Sequence, residues 1–178
     1  MSEGAGGPAA LSPREAASLL RAALATLRAE SSALPVSALD WHPAAGEWCA
    51  KEVLGHLIEA ERRGFAGRIR IILGSDNPAL ETWDQDAVAR ARGDCARDWD
   101  ALFAEFAAVR EDSATLVAGL PAAALARRGR HPTVGDLAVG ELLHEWGHHY
   151  RNHLRQILAN VQEYVWPHMG NARRFSRP

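Results

Sequence analysis

The sequence predicts an all-α fold, a four-helix bundle. Three observations lead there. Four long segments place apolar residues at helical spacing. Glycine and proline clusters separate them. No segment shows the alternation of a half-buried strand. Helices with one apolar stripe must bury it against one another.

The first helix opens at Ser12-Pro13-Arg14-Glu15, a capping box with proline at the first helical position. Leu19, Leu20, Leu24 and Leu27 supply its stripe, and it fades near Ser31-Ser32. Leu34 to Trp48 reads as a loop, with Trp41 and Trp48 expected to lock it onto one end of the bundle. The second helix is expected from about Cys49 to Leu73. Its stripe runs through Val53, Leu54, Leu57, Ile58, Phe65 and Ile69, beside a strip of small residues around His56: Ala60, Gly64 and Gly67. Ala79 to Gly93 reads as a long connection with one short helix. The third helix is expected from near Asp94 to Gly119-Leu120-Pro121. Ala122 to Pro132 reads as a loop whose arginines are solvated. The fourth helix is expected from Thr133 to about Tyr164. The domain reading is therefore a flexible tail over 1–11, the bundle over 12–165 and an irregular tail over 166–178.

The chain has 178 residues, 47% of them hydrophobic, enough for one domain with a continuous core. A net charge of −2 gives no electrostatic case for nucleic acid. No apolar run is long enough for a membrane span and no signal peptide is evident, so a cytoplasmic protein is expected. Cys49 and Cys95 fit no metal-binding spacing and are expected to be reduced.

Half of the eight histidines fall between His144 and His153. Residues four apart on a helix share a face, so His144/His148 and His149/His153 are both candidate metal pairs. The first pair spells HEWGH, the HExxH pattern of zinc proteases. Its surroundings disfavour that reading. A third zinc ligand of the protease kind is missing: Leu154 stands where a histidine would be needed, and the nearest downstream glutamate, Glu163, is about four turns along the same helix and cannot reach back. Measured from the apolar stripe centred between Trp146 and Tyr150, His153 lies roughly 50° away and His149 roughly 90°. His144 and His148 lie roughly 130° and 170° away, on the polar side. An ion inside the bundle therefore selects His149 and His153. His56 is a third candidate from another long helix, and three protein nitrogens with one open position is the catalytic zinc arrangement.

Trp41-His42-Pro43, Gly46-Glu47-Trp48 and Lys51-Glu52-Val53-Leu54-Gly55-His56-Leu57 resemble the first motif of the DinB-like superfamily. His149-Tyr150-Arg151-Asn152-His153-Leu154-Arg155-Gln156-Ile157 resembles its second. The resemblance covers most of Ser12 to Val161. It implies a four-helix bundle with one divalent ion, zinc or nickel, on His56, His149 and His153. It also implies a possible homodimer and a metal-dependent transferase joining a low-molecular-weight thiol to a small electrophile. The competing expectation is a non-enzymatic, metal-stabilised bundle with a binding or stress-related role. Cys49 departs from the pattern, standing where the family often has a serine or threonine helix cap. Ala79 to Pro132 carries no family signature, so the substrate is left open.

Overall fold

The computed structural model describes residues 7–176; Met1–Gly6 of the expected N-terminal tail lie outside them. Helix α1 spans Pro13–Ser32, and both halves of its capping box form: Ser12 N–H donates to Glu15 at 2.8 Å, and Glu15 N–H to Ser12 Oγ at 3.3 Å. The expected loop contains one short helix, α2, Val36–Leu39. Trp41 packs edge-on against Tyr164, and at Trp48 the main-chain carbonyl rather than the ring holds the loop to α7, accepting from Asn160 at 2.8 Å.

The second long helix is not one α-helix. It runs as α3, Ala50–Glu59, then a π-helical turn, Ala60–Phe65, then α4, Ala66–Gly74. A Cβ on Gly67 would lie 2.1 Å from the Arg62 carbonyl oxygen, so the close approach of these two backbones requires glycine. At the start of α3, Cys49 makes no side-chain cap, but Glu52 reaches back to accept from Cys49 N–H at 2.9 Å. Cys49 and Cys95 are free, with their sulfurs 3.1 Å apart.

The long connection carries α5, Gln85–Arg92. Helix α6 spans Trp99–Ala118 and starts later than expected. Asp98 caps it, accepting from Ala101 N–H at 2.9 Å, whereas Asp94 is drawn into ion pairs with Arg92 and Arg97. Gly55 makes room for Asp94, whose carboxylate occupies the space a Cβ would fill.

The expectation of no strand needs correction. Arg128–His131 (β1) and Gly135–Ala138 (β2) form an antiparallel hairpin. Thr133 and Val134, where the fourth helix is expected to begin, lie in its turn, and Gly135 and Asp136 open β2. Gly135 has φ +78°, and the Thr133 and Val134 N–H groups bond to His131. Helix α7 therefore begins at Val139 and runs to Val165. Gly129 lets the hairpin lie on α4 and Leu80, since a Cβ there would meet Ile72 at 2.9 Å. Trp166–Phe175 follows in 3₁₀ turns broken at Gly170.

In the bundle α1 packs along α6 and α7, and α3 along α6 and α7. Two apolar clusters fill it. Phe65, Ile69, Val117 and Trp146 belong to one; Leu27, Leu54, Phe106 and Tyr150 belong to the other. Among the described residues no helix is long and apolar enough to cross a membrane.

Candidate metal centre

His56 comes from α3, within the turn before the π-helical segment; His149 and His153 come from the middle of α7. One ring nitrogen from each lies within 4.8 Å of the others. Nε2 of His56 and Nε2 of His149 are 3.2 Å apart, and the rings of His149 and His153 lie 4.5 Å centre to centre. His153 Nδ1 pairs with Gln156 Oε1 at 2.9 Å. Because an amide oxygen only accepts, that bond puts the His153 proton on Nδ1 and leaves Nε2 as a lone pair. Nδ1 of His56 and of His149 have no hydrogen-bond partner, so the polar contact these rings make is with each other.

Burial dominates the electrostatics. It pushes His56 down to about 3, with repulsion from His153 and His149 adding to it. Burial likewise takes His149 to about 4, helped by His153 and Arg110, and lowers His153. All three rings are neutral at neutral pH, the form that binds a metal ion. Two nitrogens of a tetrahedral ion with bonds of about 2.05 Å sit roughly 3.3 Å apart, close to the His56–His149 separation. The donor set and its spacing thus fit one divalent ion.

Aromatic side chains surround the cluster. Trp48 lies 5.2 Å from the His56 ring, Trp83 stacks on it at 5.8 Å, and Phe65 sits edge-on to His149 at 5.2 Å. His56, His149, Phe65 and Trp83 also line an open cavity of about 1110 Å³. Sequence reasoning missed Trp83, which lies in the long connection between elements, where no periodicity points to a site.

The HEWGH pair does not assemble a site. His144 accepts from Leu11 N–H at 3.0 Å and bonds to the Gly140 carbonyl, which ties the residue just before the α1 cap to α7. His148 is exposed beside Asn152. Glu59 and Glu61, which follow His56 in the chain, are both buried. Glu59 meets Arg62, Arg63 and Arg92, and Glu61 pairs with buried Arg110.

A family model described as the DinB superfamily matches residues 19–157. The chain belongs to the DinB superfamily. Its fold is similar to that of YfiT from Bacillus subtilis, described as a probable metal-dependent hydrolase with an unusual four-helix bundle topology. The TM-score is 0.78 at 19% identity, over 91% of this chain and 94% of that one. No curated protein matches the chain by sequence. The family and the bundle expected from the two motifs are thus established, and the matched segment contains all three clustered histidines.

Proposed function

We propose that this DinB-superfamily chain is a metal-dependent enzyme. In this reading His56, His149 and His153 hold one divalent ion, zinc or nickel, and the reaction transfers a low-molecular-weight thiol to a small electrophile. One observation carries it: three neutral imidazoles from two helices converge, two of them on the wall of a roomy cavity. Three protein ligands leave a position open, as catalytic rather than structural sites do. An ion bound there lowers the pKa of a thiol or water ligand and so supplies a nucleophile near neutral pH.

The chain's own residues do the rest. Gln156 fixes the ring orientation of His153. Trp48, Trp83 and Phe65 wall the cluster with aromatic surface and exclude bulk water from its flanks. In the transfer, the thiol sulfur bonds to the electrophilic carbon, the leaving group departs with its electron pair, and the thiol proton goes to solvent. Neither cysteine is a competing nucleophile, because Cys49 at the start of α3 and Cys95 in the turn between α5 and α6, packed against it, both lie outside the cavity lining.

Hydrolysis is the second reading, supported by the description of YfiT. Water in place of the thiol gives it from the same geometry. The protein loaded with zinc or nickel is assayed with a generic electrophile and with an ester, each with and without bacillithiol, mycothiol or glutathione. Thiol-dependent conjugation that requires metal supports the transferase. Thiol-independent ester cleavage moves the assignment to hydrolysis. No metal-dependent turnover in any arm leaves the non-enzymatic, metal-stabilised bundle.

A further inference from the structure

The cavity beside the three histidines holds a second polar cluster that the metal reading does not use. Arg68 of α4 and His131 of β1 both line it. Arg68 Nη2 donates to the Glu81 carbonyl at 3.1 Å and faces His131 Nε2 at 3.0 Å. Among the described residues these are its partners, and neither is a carboxylate. Its Nε is buried and has no hydrogen-bond partner. His131 Nδ1 accepts the N–H groups of Thr133 and Val134, at 3.2 and 3.4 Å. The neutral ring therefore carries its proton on Nε2. Two donors then point at one another with no acceptor between them, beside a third donor with no partner at all. Burial disfavours the charge of both groups. Such a cluster is complete only when an oxyanion supplies the missing acceptors.

The π-helical turn explains how Arg68 reaches this cavity. In an unbroken α-helix Arg68 would project about 120° away from His56. The extra residue of a π turn takes back about 100°, which leaves the two within about 20° of one face. Gly64, between them, adds no side chain, and a Cβ there would stand in open space.

We infer that Arg68 and His131 form an oxyanion seat, and that the small molecule handled at the histidine cluster carries a carboxylate or phosphate group docked there. This rests on the reading of the same cavity as the working site, and adds the class of substrate. The anionic group is a remote anchor rather than the reacting centre, so its binding energy can position the electrophile.

The test uses chelator-treated protein, so that no metal ion binds the probe directly. Three probes of one shape are titrated against tryptophan fluorescence, which Trp83 in the cavity wall makes sensitive: 3-phenylpropionate, 3-phenylpropionamide and 2-phenylethyl phosphate. At least one anion binds more tightly than the amide by roughly tenfold or more, the worth of a charged hydrogen bond. The better anion identifies the seat as one for carboxylate or for phosphate. Arg68→Met removes the preference, and His149→Ala keeps it. If Arg68→Met does not fold, His131→Leu serves, with the same loss expected. Equal binding of all three probes by the unaltered protein overturns the seat, as does a preference that survives Arg68→Met. Because no metal is present, failure of the metal reading leaves this result interpretable, and failure of the seat leaves metal binding untouched.

Discussion

His56 Nε2 and His149 Nε2 stand 3.2 Å apart although 93 residues separate them in the chain. Two buried, neutral rings held this close present two ligand atoms at nearly the spacing one tetrahedral ion requires. Replacing either with alanine should abolish stoichiometric zinc binding, read by elemental analysis after dialysis. His148→Ala should leave it at one ion per chain. Gln156→Leu, which frees the His153 ring to turn, should weaken affinity by about 10- to 100-fold without removing a ligand. Loss of metal in His148→Ala with retention in His149→Ala would return the site to the HEWGH pair.

Gly67 decides whether the π-helical turn survives. The contact a Cβ would make with the Arg62 carbonyl is with backbone, which has no rotamer to move aside. Gly67→Ala should cost about 1–3 kcal/mol, as overpacking does, read as a lower urea midpoint. If the segment relaxes to α-helix instead, Arg68 swings about 100° off the His56 face. The variant then loses the preference for anionic probes while its metal content stays unchanged. A variant equal to the parent in both stability and anion preference would show that the turn has no such role.

His149 and His153 were legible from sequence, because a four-residue spacing and the apolar stripe of one helix specify a face with no tertiary information. His56 was legible only through its motif, since its position on the edge of the apolar arc does not decide its partner. The hairpin was missed because Arg128–His131 and Gly135–Ala138 are short, polar and exposed in part, with none of the alternation that marks a buried strand. What holds β1 in place is non-local, namely bonds to Pro78 and Leu80 and the absence of a side chain at Gly129. The π turn was illegible for a similar reason: Gly64 and Gly67 read as small packing residues, and one extra residue in a turn leaves no periodic trace over so short a stretch. The cavity wall follows from those two features, so it was hidden with them.

Arg110 and Glu61 form a buried ion pair beneath the site, and Arg110 also spans the rings of Phe106 and Tyr150 and donates to the Leu20 carbonyl at 3.2 Å. Removing one member leaves the other charge stranded. Arg110→Met should therefore cost about 3–5 kcal/mol. Burial already raises Glu61 against the pull of Arg110, so losing Arg110 should raise it further and favour the protonated carboxyl. Replacing both, as Glu61→Leu with Arg110→Met, should recover much of the loss, since an apolar pair needs no compensation. A double-mutant cycle in urea measures this coupling, and additive losses would argue against it.

Glu105 should make the fold sensitive to acid. Burial alone would raise its pKa, but hydrogen bonds from Arg97 and Arg92 overcome this and hold it near 2, against an ordinary 4.5. The bonds are concrete: Arg97 at 2.7 Å, Arg62 at 2.9 Å and Arg92 at 3.4 Å. Through Arg92 the same network reaches Glu59 at 2.8 Å and Asp94 at 2.5 Å. The folded carboxyl is more acidic than the unfolded one, so between those two values the unfolded chain binds more protons. The stabilisation is therefore complete above about 4.5 and is lost as pH falls toward 2. Urea midpoints should decline over that window, and urea is the right denaturant because guanidinium salt would screen the pairs. Glu105→Gln should be less stable than the parent at pH 7, converge on it near pH 2, and show a shallower decline between. A variant with the parent's slope would place the acid sensitivity in another carboxylate of the network.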